Sequence, residues 1–368
     1  MRKWNLLFAL GACLASLTLT VGTAMASPNP ADAPSPVCPV GTGDTLQQCV
    51  ANFVNSVQST VLAGVCPIIE NLPPLPNPRP ATITALHAGV FNNFVPLGLK
   101  PAVKQDFNIT LNDVGGNSVK LANSIKSGSL TGDLFMSADA SVNQTLEGPA
   151  NGNWVDWFTV FARNQVVLAY DPHSRFAADF QTKPWYQVLQ EPGIKLGRYD
   201  PNLDPLGYYT LFVAQLAEKY YAIPGLKQQI LGADNNPNQI ITANFPDGVS
   251  DAAFYYRSDA TFDKTPFVTL PDQINLSNPD FASFYAQASY TTNIGQTFHG
   301  APIQQSIAPL RGGDTRPVDD VIRLLDSPQG AALISQYGFL PSPILAGGNL
   351  NHIPLPIRCE VQGTYQSP

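Results

Sequence analysis

From Ala81 onward the chain repeats one unit: a short apolar run, a turn of small residues, then apolar residues at helical spacing. Residues 82–86 lead to His87-Ala88-Gly89-Val90, residues 107–111 to Gly115-Gly116-Asn117-Ser118, and residues 133–136 to Ser137-Ala138-Asp139. Such repetition predicts an α/β fold, because parallel strands need a crossover and the crossover helices cover the faces of their sheet. Ligands of these sheets sit at the carboxyl ends of the strands, so all three turns are expected to open on one side. Residues 166–170 and 252–256 read as further strands, and residues 225–236 as a helix running into a loop. Residues 300–310 are expected to return to the first sheet. Val318, Val321, Ile322 and Leu325 then space as a helix, Ser327 and Pro328 start another, and Gly338 stops it.

The stretch Arg198-Tyr199-Asp200-Pro201-Asn202-Leu203-Asp204-Pro205-Leu206-Gly207-Tyr208 reads as a loop entering a helix. Asp204 is placed to cap the first turn, Pro205 suits the first helical position, and Tyr209, Phe212, Val213, Leu216 and Tyr220 follow at helical spacing. The open N-terminus of a helix offers free N–H groups and the positive end of its dipole, which suits an anion. This one also carries two carboxylates. They repel an anion unless a metal centre within that anion accepts a carboxylate oxygen.

Met1-Arg2-Lys3 precedes an apolar run ending in Ala24-Met25-Ala26, the pattern of a secretory signal peptide over residues 1–26. Leu10-Gly11-Ala12-Cys13 offers a lipoprotein site as the alternative, although the apolar run continues past Cys13. No later run approaches the roughly 18 apolar residues of a membrane span. The mature chain is therefore expected outside the cytoplasm, periplasmic or extracellular. About 340 residues follow the leader, more than one core usually holds, so two lobes are expected.

Cys38, Cys49, Cys66 and Cys359 are an even set in an exported chain, which favours disulfides and leaves three connectivities open. Residues 27–80 read as an added segment: a Pro- and Ala-rich start, one amphipathic helix from Asp44 to Gly64, and a stiff linker from Pro73 to Pro80. Net charge is −7 with only 13% charged residues, and no basic run occurs, which excludes nucleic acid and anionic membrane surfaces as partners. His87, His173, His299 and His352 form no metal-binding pair, and neither a Gly-x-Ser-x-Gly elbow nor a Walker loop is present. A Ser118, His87, Asp204 hydrolase triad can be drawn, but no spacing demands it. Binding is expected rather than catalysis, with no cofactor.

Four blocks in order carry a resemblance: Arg163-Asn164-Gln165-Val166-Val167-Leu168-Ala169-Tyr170, Trp185-Tyr186, Gly197-Arg198 through Asp204-Pro205, and Gln215-Leu216-Ala217-Glu218-Lys219-Tyr220-Tyr221. In these, and more weakly from about His87 to Pro341, the chain is similar to the molybdate/tungstate-binding proteins of ABC importers. The resemblance implies a two-lobed periplasmic-binding-protein fold of class II. Each lobe would be a mainly parallel sheet flanked by helices, with a hinge of two crossing strands. Residues 81–165 with 305–358 would form the first lobe and residues 166–304 the second. It also implies a monomer that holds a small inorganic oxyanion, molybdate or tungstate, with ABC permease and ATPase subunits as partners.

Carried over residue by residue, the resemblance implies ligand contacts from Gly89, Val90, Asn117, Ser118, Ser137, Ala138, Asp204, Tyr255 and Tyr256, with Asp204 as a direct ligand of the molybdenum or tungsten. Two positions depart from the family pattern. Val90 replaces a Ser, leaving only its backbone N–H, and Tyr255 replaces the Glu of six-coordinate members. With one carboxylate fewer, a tetrahedral ion held by hydrogen bonds is the expectation. Each residue also has a plain structural reading: Asp204 and Ser118 as helix caps, Tyr255 and Tyr256 as packing residues, His87 as a hydrogen-bonded core histidine.

Overall fold

The computed structural model describes Cys66 and residues 80–232, 240–241, 245–313 and 315–367. The leader, the amphipathic helix, Cys38, Cys49 and the linker before Pro80 lie outside the described residues. Cys66 and Cys359 are both disulfide-bonded.

In chain order the strands are β1 (Ala81–Ala88), β2 (Ile109–Gly116), β3 (Leu134–Ser137), β4 (Trp157–Arg163), β5 (Val166–Tyr170), β6 (Leu196–Arg198), β7 (Ile240–Ile241), β8 (Ala252–Tyr256), β9 (Phe267–Thr269), β10 (Ser289–Thr291), β11 (Thr297–His299), β12 (Gln304–Pro309), β13 (Leu345–Gly348) and β14 (Gly363–Thr364). A seven-stranded sheet runs in the order β14-β13-β4-β12-β3-β1-β2 and a five-stranded sheet in the order β7-β6-β8-β5-β9; β10 and β11 form a separate hairpin. The chain passes from the first sheet to the second between β4 and β5, and returns between β11 and β12. Two lobes joined by two crossings are the result, the arrangement that permits hinge closure.

The expectation of mainly parallel sheets needs correction. In the larger sheet β1 is parallel to β2 and β3, and β13 to β14, whereas β12 runs antiparallel to β3 and β4, and β13 to β4. In the smaller, β6 is parallel to β7 and β8, but β5 is antiparallel to β8 and β9. The strands that carry the chain between lobes enter each sheet from the far side, and so run against their neighbours.

The parallel strands place the turns. Ala88 pairs with Gly116, and His87 with Gly115 and Met136, so β1, β2 and β3 end side by side. Their continuations are the 3-10 turn Gly89–Phe91, the helix α1 (Ser118–Lys126) and the short helix α2 (Ala140–Gln144). In the second lobe, parallel β6 and β8 lead to α3 (Pro205–Tyr220) and α4 (Arg257–Phe262). All five turns therefore lie at carboxyl ends of strands.

Local chemistry accounts for these elements. β5 and β8 are buried at every position, as their unbroken apolar runs require. β2 continues through Asn112, Asp113 and the two glycines, beyond the strand expected at residues 107–111, because it is the outer strand, where Asn112 faces water and Asp113 pairs with His87 and Lys100. Phe107 instead closes the helix Lys100–Phe107, with Asn108 in the left-handed conformation at φ 55°. α3 is buried almost all round, Leu206, Tyr208 and Leu211 included, so it is a core helix rather than one with a single apolar face. Tyr208 stacks on Phe298 with ring centroids 4.5 Å apart. The helix expected over residues 225–236 is shorter, Leu226–Leu231, and stops at Gly232, whose φ is +67°.

Candidate functional site

A cavity of about 410 Å³ opens where the strand ends of the two sheets face one another. The first lobe contributes Gly89, Val90, Asn92 and Asn93 after β1, Gly116, Asn117 and Ser118 after β2, and Ala138 after β3. The second contributes Tyr199 and Asp204 ahead of α3, Tyr255 and Tyr256 at the end of β8, Asp259 and Asp263 from α4 and its end, and Phe245. Eight of the nine site residues expected from sequence line this one space; Ser137 does not.

Ser137 is fully buried, and its Oγ donates to the Asp139 carbonyl at 2.7 Å and accepts from the Asp139 amide at 3.2 Å. Its hydroxyl is spent on shaping the turn. Ser118 is the first residue of α1 and not its cap; Asn117 holds the cap position without a side-chain capping bond. Ser118 Oγ accepts from the Ala138 amide at 3.2 Å, which leaves the hydroxyl hydrogen to donate.

Both helix N-termini prove to be closed, which overturns the expectation of free peptide N–H groups. At α3, Asp204 Oδ1 accepts from the Leu206 amide at 2.8 Å. At α1, the amides of Val119 and Lys120 donate to the Leu203 carbonyl at 3.1 and 3.2 Å, reaching across from one lobe to the other. A tight loop presents that carbonyl: the amides of Leu203 and Asp204 both donate to the Asp200 carbonyl. Gly207 permits the fold-back, since a Cβ there would lie 2.5 Å from backbone atoms of Asp200 and Pro201. Two side-chain bonds cross the same cleft, Asn117 Nδ2 to Asp204 Oδ2 at 2.5 Å and the Tyr208 hydroxyl to Asp139 Oδ2 at 2.6 Å.

What remains for a ligand is therefore a set of side-chain groups together with the amides of Gly89 and Val90 after β1. The Tyr256 hydroxyl is buried with no hydrogen-bond partner among the described residues. Tyr255 donates to Asp263 Oδ2 at 3.4 Å. Among the described residues no Lys, Arg or His lines the cavity, while three carboxyl groups do. Burial raises the affinity of Asp204 for its proton, opposed by the bonds from Asn117 and Leu206. Burial and the neighbouring Asp263 and Asp204 push Asp259 well above the carboxylate range. Burial also raises Asp263, opposed by the Tyr255 hydroxyl. The phenols of Tyr199, Tyr255 and Tyr256 are held protonated, chiefly by burial.

Sequence reasoning missed Asn92, Asn93, Tyr199, Phe245, Asp259 and Asp263. One signal was present: Arg257-Ser258-Asp259-Ala260 follows a strand and starts a helix, as the other site turns do.

Residues 100–340 match the family of bacterial extracellular solute-binding proteins. A protein of Haloferax volcanii with the provisional name of ABC transporter molybdenum-binding protein is 40% identical over 173 residues, which cover 46% of this chain and 56% of the relative. An uncharacterised solute-binding protein of Petrotoga mobilis is 33% identical over 224 residues, 56% of this chain and 67% of its own. Molybdate/tungstate-binding protein WtpA of Pyrococcus abyssi is 27% identical over 269 residues, 65% of this chain and 77% of its own. The match thus spans little more than half of the Haloferax relative and two thirds or more of the other two. With the matched family covering most of the two-lobed body, this chain belongs to the bacterial extracellular solute-binding proteins.

Proposed function

We propose that this chain captures a tetrahedral oxyanion outside the cytoplasm, molybdate or tungstate first among them, and delivers it to the permease and ATPase of an ABC importer. The observation that carries the reading is a cavity between two lobes, lined from both sides by neutral donors and, among the described residues, by no basic side chain. Neutral donors select a small, fully ionised oxyanion by geometry, where lysines would attract any anion. Hydrogen bonds to a charged group are worth roughly 1.5–3 kcal/mol each, so a few convergent donors suffice for micromolar binding after desolvation and closure. The names of the Haloferax and Pyrococcus relatives favour molybdenum and tungsten oxyanions over sulfate.

Within this reading the donors are the Ser118 and Tyr256 hydroxyls, the amides of Gly89 and Val90, and the free N–H of Asn117, with Ala138 shaping the turn. Asp204 acts as a clamp. Both of its oxygens already accept hydrogen bonds, one from its own helix and one from the opposite lobe, so it is committed before any metal centre arrives. Tyr255 supports Asp263. A tetrahedral ion held by hydrogen bonds fits this set better than an expanded coordination sphere.

The cavity exceeds the volume of one such ion, and that observation favours a second reading: a small organic molecule bearing a phosphoryl group. Isothermal titration with molybdate, tungstate, sulfate, phosphate and a sugar phosphate separates the two. Tight binding of molybdate or tungstate alone supports the first, tightest binding of the sugar phosphate the second, and heat from none of them removes both.

A further inference from the structure

We propose that Asp259 contacts the bound ion as a neutral carboxylic acid, donating its proton as a hydrogen bond to an oxyanion oxygen, so that capture of the ion draws a proton from solution wherever the free protein has released it. The inference rests on the oxyanion reading above and adds to it a residue and a linkage.

The argument turns on how differently three carboxyl groups of one cavity are engaged. Asp204 accepts from the Leu206 amide and from Asn117, two donors that stabilise its ionised form. Asp263 accepts from the Tyr255 hydroxyl. The Asp259 side chain has no hydrogen bond among the described residues, although it lines the same space. Among the described residues, every titratable group that acts on it is acidic: Asp263 at the end of its own helix, Asp204 across the cavity, Tyr199 after β6, and Tyr255 and Tyr256 on β8. Arg257, on the same helix, directs Nη1 to the Gly338 carbonyl at 3.3 Å.

A dianion entering this space meets like charges, and no cation among the described lining residues offsets them. Such repulsion is removed at least expense by protonating the carboxylate that has no donor to lose, and that is Asp259. The proton then does a second task. It turns an acceptor that repels oxyanion oxygen into a donor beside the unpartnered Tyr256 hydroxyl. The burial that pushes this carboxyl upward acts in the same direction. The balance is one ion for each protein, with one proton taken up where free Asp259 is ionised and none where it already holds its proton, and no bond in the ion is broken. An arrangement of this kind favours ions whose oxygens are all acceptors, as in molybdate, tungstate and sulfate.

The test is titration of the whole mature chain with molybdate, in two buffers of equal pH but different ionisation enthalpy, from about pH 6 to about pH 9. Buffer-dependent heats and an affinity that falls by about tenfold for each pH unit, once free Asp259 ionises, are expected. Asp259→Asn, whose amide donates at any pH, should flatten the profile, while Tyr256→Phe should weaken binding and keep its slope. Heats that are equal in both buffers, with an affinity that does not change with pH, overturn the role of Asp259 and leave oxyanion binding standing. Absence of heat with molybdate, tungstate and sulfate overturns the underlying reading.

Discussion

Asn117 and Asp204, 87 positions apart in the chain, meet across the cleft at 2.5 Å. One occupies the cap position of the first lobe's helix α1 and the other caps the second lobe's helix α3, so the residues that open two helices hold each other. Asp204 therefore has two functions that separate on substitution. Asp204→Ala removes both bonds and should lower unfolding stability by about 1–2 kcal/mol through loss of the cap. Asn117→Ala leaves the cap of α3 intact and removes only the bridge. It should leave the melting temperature nearly unchanged and weaken molybdate binding several-fold. Thermal melts with and without ligand check both, and unchanged affinity in Asp204→Ala would mean that the carboxylate only caps its helix.

Gly207 lies one turn into α3, where a Cβ would meet backbone atoms of Asp200 and Pro201 at 2.5 Å. Backbone cannot swing aside as a side chain can, so Gly207→Ala must displace the loop that presents the Leu203 carbonyl to α1. A loss of about 2–4 kcal/mol is expected, together with weaker ligand binding, because loop and cleft contact are one unit. Chemical denaturation and titration should both register it. A variant of wild-type stability would show that the helix start adjusts.

The strands at the centre of the smaller sheet were legible because burial on both faces leaves an unbroken apolar run: β5 and β8 coincide with residues 166–170 and 252–256 read from sequence. β2 was cut short in that reading because an outer strand carries polar residues, Asn112 and Asp113 here, that look like loop. Asp204 and Pro205 announced the start of α3 through local chemistry. That the amides of α1 are satisfied by Leu203 was not legible, since a backbone carbonyl arriving from another lobe leaves no trace in side-chain pattern. For the same reason Ser137 was expected in the cavity, though its hydroxyl turns back on Asp139. Asp259 was passed over because a lone acid in the first turn of a helix reads as dipole compensation.

Glu147 offers a test away from the cleft. Burial, with Asp156 nearby, raises its carboxyl to about 7. An acid held above its unfolded value keeps its proton in the folded state after the unfolded chain has released it. Its unfavourable contribution is thus absent below about pH 4.5 and grows as pH rises, reaching its full size above about pH 7. Glu147→Gln should flatten this stretch of the stability profile and add on the order of 1–2 kcal/mol at pH 8, after allowance for solvent screening. Denaturation midpoints at pH 5 and pH 8 decide it, and an equal gain at both would rule out titration as the cause.

Tyr208 tests whether the two lobes are drawn together by the protein itself. Its hydroxyl reaches Asp139 Oδ2 at 2.6 Å, and the other oxygen of Asp139 takes the Ser141 amide and hydroxyl, each at 2.8 Å. Tyr208→Phe preserves the stack on Phe298 and deletes this cross-lobe bond alone. A hydrogen bond to a charged carboxylate is worth roughly 1.5–3 kcal/mol, part of which water returns to Asp139 when the cleft opens. Binding requires the lobes to meet, so the loss appears in the ligand affinity, as a decrease of about 5- to 30-fold. Were affinity unchanged while the melting temperature fell, the bond would support the fold of the second lobe and not the closure of the cleft.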